Sequence, residues 1–194
     1  MSKYQEVEVK YPLYNRDEVI NNINQRGLEV KLENETQNDS YYTPSHRNFL
    51  EPPVVSEWLR IRKTKGKCSL NFKQWLPIGA EVQNQCNEYE TKIDDAYAVK
   101  KILELLDFKE IIIVNKTRNS WIYGNVEISI DHVDHLGDFI ELESTIKVND
   151  DQITYIHEKF TELLVELGAV IGKRDHRGYP YLLLEKSNLI GEGK

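Results

Sequence analysis

The chain of 194 residues has only two cysteines, Cys68 and Cys86. They show no metal-ligand spacing, and so sparse a pair does not make a disulfide framework. We therefore expect both thiols to be reduced. The histidines show no zinc-ligand spacing with these cysteines either, so the sequence does not indicate a zinc centre.

Long apolar segments are also missing. No apolar run approaches the ~20 residues that a helix needs to cross a bilayer. The first ten residues are charged and already alternate like a strand, which is not the pattern of a signal peptide. We expect a cytoplasmic protein with no membrane partner.

The sequence has no excess of positive charge. It contains 25 lysines and arginines against 32 acidic residues, with a net charge of −7 and a pI of about 5.3. This balance argues against a nucleic-acid partner, because such proteins normally carry a basic surface. It does not exclude an anionic ligand in an interior pocket, where the local charge decides.

An alternating charged segment opens the chain. In a strand successive side chains point to opposite faces, so Glu6, Glu8 and Lys10 share one face while Val7 and Val9 share the other. A half-buried strand whose charged face meets water has the same pattern. This segment alone therefore does not show whether its charged face is a solvated surface or part of a functional site.

Later segments repeat the alternation, and together they predict about eight strands joined mostly by turns. Their polar faces carry eight acids and seven bases. The acids are Glu6, Glu8, Glu88, Glu90, Glu127, Asp131, Glu141 and Glu143, and the bases are Lys10, Arg60, Arg62, Lys73, Lys92, Lys116 and Arg118.

Three amphipathic helices are predicted between and after these strands. Their expected N-caps are Asn15 or Asp17, then Asp94, then Asp150 or Asp151. The length suits one domain, which we place at residues 1–186, with a flexible tail over residues 187–194.

An antiparallel sheet of about eight strands can close into a barrel that holds side chains or one small ligand. If the charged faces point inward, helices must cover the apolar outer faces. Buried, unpaired carboxylates are costly, so the acids are expected to bind hard divalent cations, Mg²⁺ or Mn²⁺. The bases are then expected to bind a polyanion such as a triphosphate.

Six motifs, in order from Tyr4 to Lys147, resemble the CYTH domain family of class IV adenylyl cyclases and thiamine triphosphatases, the triphosphate tunnel metalloenzymes. They are Glu6-x-Glu8-x-Lys10, Trp58-Leu59-Arg60-Ile61-Arg62, Leu70-Asn71-Phe72-Lys73, Glu88-x-Glu90, Lys116-Thr117-Arg118, and Asp131-His132-Val133 with Leu136-Gly137-Asp138-Phe139-Ile140-Glu141-Leu142-Glu143. In one respect the chain departs from the family, since Cys86 and Asn87 stand where an arginine often precedes the second acidic pair.

The resemblance implies an α+β fold: an eight-stranded antiparallel β-barrel, the triphosphate tunnel, with helices outside. It implies a role for each matching residue. The metal ligands would be Glu6, Glu8, Glu88, Glu90, Asp131, Glu141 and Glu143, the triphosphate ligands Lys10, Arg60, Arg62, Lys73, Lys116 and Arg118, and the catalytic residues Lys10, Lys73 and Asp131. Glu127 and Lys92 fall outside the matched motifs and are not included.

The implied activity is metal-dependent phosphoryl transfer on a small-molecule triphosphate. Such an enzyme would either cyclise ATP to cAMP and pyrophosphate or hydrolyse an inorganic, nucleoside or thiamine triphosphate. The alternative is a non-catalytic nucleotide or polyphosphate sensor, which needs the bases but not all the acids. The acids of all three pairs and Asp131 favour the enzyme. The sequence leaves the substrate, the reaction and a homodimer open.

Overall fold

The structure is a computed structural model that describes residues 7–52, 54–80, 85–146, 152–174 and 177–189. Within these residues it has eight strands and four helices. The strands are β1 Glu8–Pro12, β2 Glu29–Pro44, β3 Glu57–Thr64, β4 Lys67–Leu76, β5 Gln85–Ile93, β6 Phe108–Tyr123, β7 Val126–Val133 and β8 Gly137–Ser144. The helices are α1 Arg16–Gln25, α2 Ala96–Leu105, α3 Ile153–Glu166 and α4 Gly178–Lys186. The predicted α+β class with eight antiparallel strands is confirmed.

The strands are hydrogen-bonded in the order β1-β8-β7-β6-β2-β3-β4-β5. Pairing is antiparallel between β1 and β8, β7 and β8, β2 and β3, β3 and β4, and β4 and β5. Most neighbouring strands are consecutive along the chain. The exception that matters for the site is β1, which pairs with the last strand, β8, and so brings two distant acidic motifs side by side.

The chain divides into two compact units. The first comprises Met1–Glu35, Thr117–Val133 and Gly137–His176, and the second comprises Thr36–Lys116, Asp134–Leu136 and Arg177–Lys194. The long strands β2 and β6 contribute to both.

The first unit has its own apolar core. Val9 of β1, Ile130 of β7 and Ile140 of β8 belong to it, together with residues of α1 and α3 such as Ile23 and Phe160. All five side chains are at most 3% exposed. Because side chains alternate along a strand, the acids and bases between these apolar residues lie on the opposite face of the sheet. The helices therefore cover the apolar face, as predicted.

The second unit packs its own strands against α2. Tyr42 of β2, Ile61 of β3 and Leu103 of α2 form the buried centre. Leu59 and Leu70 pack against it from the paired strands β3 and β4. Here too the apolar residues alternate with charged ones, including Arg60.

Two predictions about the helices are corrected. The N-cap of α2 is Asp95, whose carboxylate accepts a hydrogen bond from the Ala98 amide at 2.9 Å, and not Asp94. The fourth helix, α4, was not predicted, because Gly178 and Pro180 gave its first turn a loop-like composition. For α1 the N-cap is Asn15, one of the two predicted residues. For α3 the N-cap is Gln152, and the predicted caps Asp150 and Asp151 lie outside the described residues.

In the parts of the chain that the structure describes, no helix combines the length and the apolar character that crossing a membrane requires.

Candidate active site

Three carboxylates of the first unit converge on the polar face of the sheet. Glu8 of β1 is the register partner of Glu143 on β8, and Glu141 lies two residues away on the same face. One carboxylate oxygen from each residue lies within 4.8 Å of the others. We call these three residues the carboxylate cluster. Its oxygens are the ligands that hard divalent cations prefer.

Lys10 is a base in direct contact with this cluster. It is the register partner of Glu141, and its Nζ lies 2.8 Å from Glu141 Oε2. Burial, the largest single influence, lowers the pKa of the Lys10 ammonium, but the carboxylates of Glu141 and Glu8 together outweigh it and raise that pKa above its ordinary value. Lys10 is therefore a fixed positive charge at neutral pH.

Arg118 links Asp131 to Glu141 of the carboxylate cluster. Its Nε and Nη2 donate to the two oxygens of Asp131, each at 2.7 Å, and Nη2 also lies 3.2 Å from Glu141 Oε1. Asp131 is 1% exposed and Glu141 is 7% exposed. Both acids thus belong to a buried ionic network and do not lie on a solvated surface.

The second unit holds another buried network around Asp39. Arg62 Nε and Nη2 each donate to one Asp39 oxygen at 2.6 Å, and Arg60 Nη1 lies 3.5 Å from Asp39 Oδ2. Burial alone would raise the pKa of Asp39. The hydrogen bonds and charge of Arg62, with the charges of Arg60 and Lys116, hold that pKa below its ordinary value.

Arg60 keeps unused hydrogen-bonding capacity. Among the described residues, its buried Nε has no hydrogen-bond partner. Lys116, which is 4% exposed, places its Nζ 5.2 Å from the centre of the Tyr179 ring. Two cationic side chains are therefore held in shielded positions in this unit.

The acidic pair of β5 also belongs to the second unit. Glu88 accepts a hydrogen bond from Asn71 at 2.6 Å and lies 3.0 Å from Lys73. Glu90 accepts one from the same amide at 3.2 Å, and its Oε2 is 3.8 Å from Arg60. The predicted residues Lys73, Glu88, Glu90 and Arg60 are thus brought together.

Within the first unit the structure brings together Glu8, Lys10, Arg118, Asp131, Glu141 and Glu143. Glu6 lies outside the described residues. Asp131 is placed as the bidentate partner of Arg118, so its predicted metal role stays a prediction. Lys92 is exposed.

Sequence reasoning missed two central residues, Asp39 and Asn71. Asp39 lies on β2 and is not among the eight acids predicted to share the charged faces. A buried acid opposite Arg62 could have been inferred from pairing the second and third predicted strands. Asn71 alternates with Leu70 and Phe72 beside Lys73, and it carries no charge that would have marked it.

The sequence is similar to known proteins over most of its length. A family model described as the CYTH domain matches residues 4–179. A candidate adenylate cyclase of Methanocaldococcus jannaschii is 31% identical over 141 residues, which make up 73% of this chain and 77% of the relative. The adenylate cyclase CyaB of Aeromonas hydrophila is 26% identical over 189 residues, 96% of this chain and 93% of the relative.

Solved structures share the fold. A protein of Pyrococcus horikoshii is 32% identical, with a TM-score of 0.74 over 93% of this chain and 99% of that one. A candidate adenylyl cyclase from Hippeastrum, described as having a dominant triphosphatase activity, has a TM-score of 0.61 at 14% identity, over 95% of this chain and 96% of that one. The family model spans most of the sequence, and the matching strands carry the acids and bases described above. The chain therefore belongs to the CYTH domain family.

Proposed function

We propose that this protein is a metal-dependent phosphoryl-transfer enzyme that acts on a small-molecule triphosphate in the cytoplasm. One observation carries the proposal: one carboxylate oxygen each of Glu8, Glu141 and Glu143 lies within 4.8 Å of the others, directly beside the partly buried bases Lys10 and Arg118. Negative charge is concentrated where a cation can bind, and positive charge where phosphate can bind.

The cluster fits a divalent cation of the hard class, Mg²⁺ or Mn²⁺. All its donors are carboxylate oxygens, the ligands that hard divalent cations prefer. We propose Glu6 and Asp131 as further ligands. A bound cation would neutralise phosphate charge and polarise the phosphorus.

In the first unit, Lys10 and Arg118 would bind phosphate oxygens. Because its neighbours keep Lys10 protonated, its catalytic contribution would be electrostatic stabilisation and not proton abstraction. In the second unit we propose Arg60, Arg62 and Lys116 as phosphate-binding residues. The free Nε–H of Arg60 supports this, since a buried donor without a partner favours an incoming oxygen.

Lys73 and the acids of β5 complete the proposed set. Lys73 is ion-paired with Glu88, and Glu90 lies next to Arg60. We propose a catalytic and phosphate-binding role for Lys73 and metal binding for Glu88 and Glu90. A non-catalytic sensor would have little use for this many carboxylates, and the enzyme is therefore preferred.

Two reactions use the same residues. In cyclisation the 3′-hydroxyl of ATP attacks the α-phosphorus and pyrophosphate leaves, whereas in hydrolysis water attacks the terminal phosphorus and orthophosphate leaves. The Aeromonas relative is named an adenylate cyclase, and the Hippeastrum protein is described as a triphosphatase. Both reactions are kept in the proposal.

The test is product identification. The protein is incubated with ATP, tripolyphosphate or thiamine triphosphate, with Mg²⁺, Mn²⁺ or a chelator, and the products are identified by phosphorus NMR and chromatography. Cyclic AMP with pyrophosphate would assign the cyclase, and orthophosphate the hydrolase. Absence of metal-dependent turnover on all three compounds would contradict the proposal.

A further inference from the structure

Glu127 extends a row of acids that crosses the sheet from β1 through β8 to β7. It lies on β7 as the register partner of Glu143 on β8, which in turn is the register partner of Glu8 on β1. Directly opposite side chains lie on the same face, with Cβ atoms about 4.5–5.5 Å apart, and like charges in such positions repel. Three carboxylates therefore stand side by side on neighbouring strands.

Lys31 engages the last carboxylate of this row. Its Nζ lies 2.5 Å from Glu127 Oε2, and the Glu127 side chain is only 11% exposed. Lys31 reaches it from β2, within the same unit and 96 positions away in the sequence. Among the described carboxylates, Glu127 is not one of the three that converge within 4.8 Å.

We propose that the Lys31–Glu127 pair controls the affinity of the carboxylate cluster for divalent cations. Lys31 neutralises Glu127 and holds it apart, so that the cluster presents three carboxylates and not four. Lys31 and Glu127 are thus positioning residues, and the inference rests on the proposed metal-binding function of the cluster.

The charges of Lys31 and Glu127 predict the direction in which each substitution changes metal affinity. The pair is neutral, so removing Lys31 leaves one extra negative charge beside Glu143, and removing the Glu127 charge leaves one extra positive charge. A divalent cation responds to these changes with opposite signs. If the pair only stabilised the fold, both changes would alter stability and neither would alter metal affinity.

The experiment is calorimetric titration of Mn²⁺ into the full chain at low ionic strength. K31M is expected to raise the affinity roughly three- to tenfold, E127Q to lower it by a similar factor, and K31M/E127Q to return close to wild type. K31R, which keeps the charge, should resemble wild type. The matched control is K159M, because Lys159 is equally exposed and paired with Glu162 on α3.

Unchanged affinity in K31M and E127Q, or a change of the same sign in both, would overturn the inference. If K31M does not fold, E127Q and K31R still decide it. The variant E141Q separates this inference from the proposed function. If E141Q binds Mn²⁺ like wild type, the proposed metal site is wrong; if it loses binding while the Lys31 and Glu127 variants change nothing, only the present inference fails.

Discussion

Lys10 and Glu141 are register partners on β1 and β8, and their side chains meet at 2.8 Å. The other Glu141 oxygen lies 3.2 Å from Arg118. One buried carboxylate is therefore shared by two bases and also belongs to the carboxylate cluster. A cation that binds Glu141 must weaken the contacts of Glu141 with Lys10 and Arg118. This costs free energy unless an anion replaces the carboxylate as the partner of the two bases.

This competition predicts that metal and triphosphate bind cooperatively. Phosphate oxygens would compensate Lys10 and Arg118 while the cation compensates Glu141, and such coupling is reciprocal. A ligand at a hundredfold excess over its Kd stabilises a protein by about 2.7 kcal/mol. We expect Mn²⁺ and tripolyphosphate together to raise the melting temperature by more than the sum of their separate shifts.

The melting experiment must be corrected for the metal–polyphosphate complex that forms in solution. Glu141→Gln should abolish most of the metal-dependent shift and leave the shift caused by tripolyphosphate alone. Merely additive shifts in the wild type would rule out the coupling.

Removal of Arg118 should destabilise the fold as well as impair substrate binding. Arg118→Ala leaves the carboxylate of Asp131, which is 1% exposed, without its bidentate partner. Breaking a buried pair in this way costs about 3–5 kcal/mol. Urea denaturation should show this loss, whereas Arg26→Ala, which breaks the exposed pair with Glu166, should lose at most about 1 kcal/mol. Equal losses in the two variants would contradict the buried network.

Acid should weaken the ionic network of the second unit. Because the folded-state pKa of Asp39 is depressed, its contribution to stability is fully present above its unfolded pKa, about 3.9, and is lost as the pH falls through the lower folded value. Asp39→Asn should therefore be much less stable than wild type at pH 6. The difference in unfolding free energy, measured in urea, should shrink as the pH is lowered below about 4. A difference independent of pH would show that the Asp39 charge does not stabilise the fold.

The sequence was most informative where alternation was strict. Glu8 and Lys10 against Val9, and Glu141 and Glu143 against Leu142, predicted both strands and the face that carries the acids. The structure confirms this arrangement, with Leu142 in the core and Glu8 opposite Glu143. Because a strand has a period of two, a single segment fixes which residues share a face.

Partners between distant strands were harder to predict. On β2, Glu29, Glu33 and Asp39 have similar character in the sequence, yet Glu29 and Glu33 are exposed and Asp39 is buried. The pairing of Lys31 with Glu127 depends on the order of β2, β6 and β7 in the sheet. Local pattern determines the face of a residue, but only strand order and register determine its partner.

The central claim, that Glu8, Glu141 and Glu143 bind a divalent cation, is tested most directly by Mn²⁺ titration of their glutamine variants. Each substitution keeps the shape and removes one ligand charge, so each should weaken Mn²⁺ binding at least about tenfold. Glu57→Gln is the matched control, since Glu57 is 5% exposed but pairs with Arg47 outside the cluster. The account predicts near-wild-type binding in the control and weakened binding in all three cluster variants. Wild-type affinity in Glu141→Gln would contradict it.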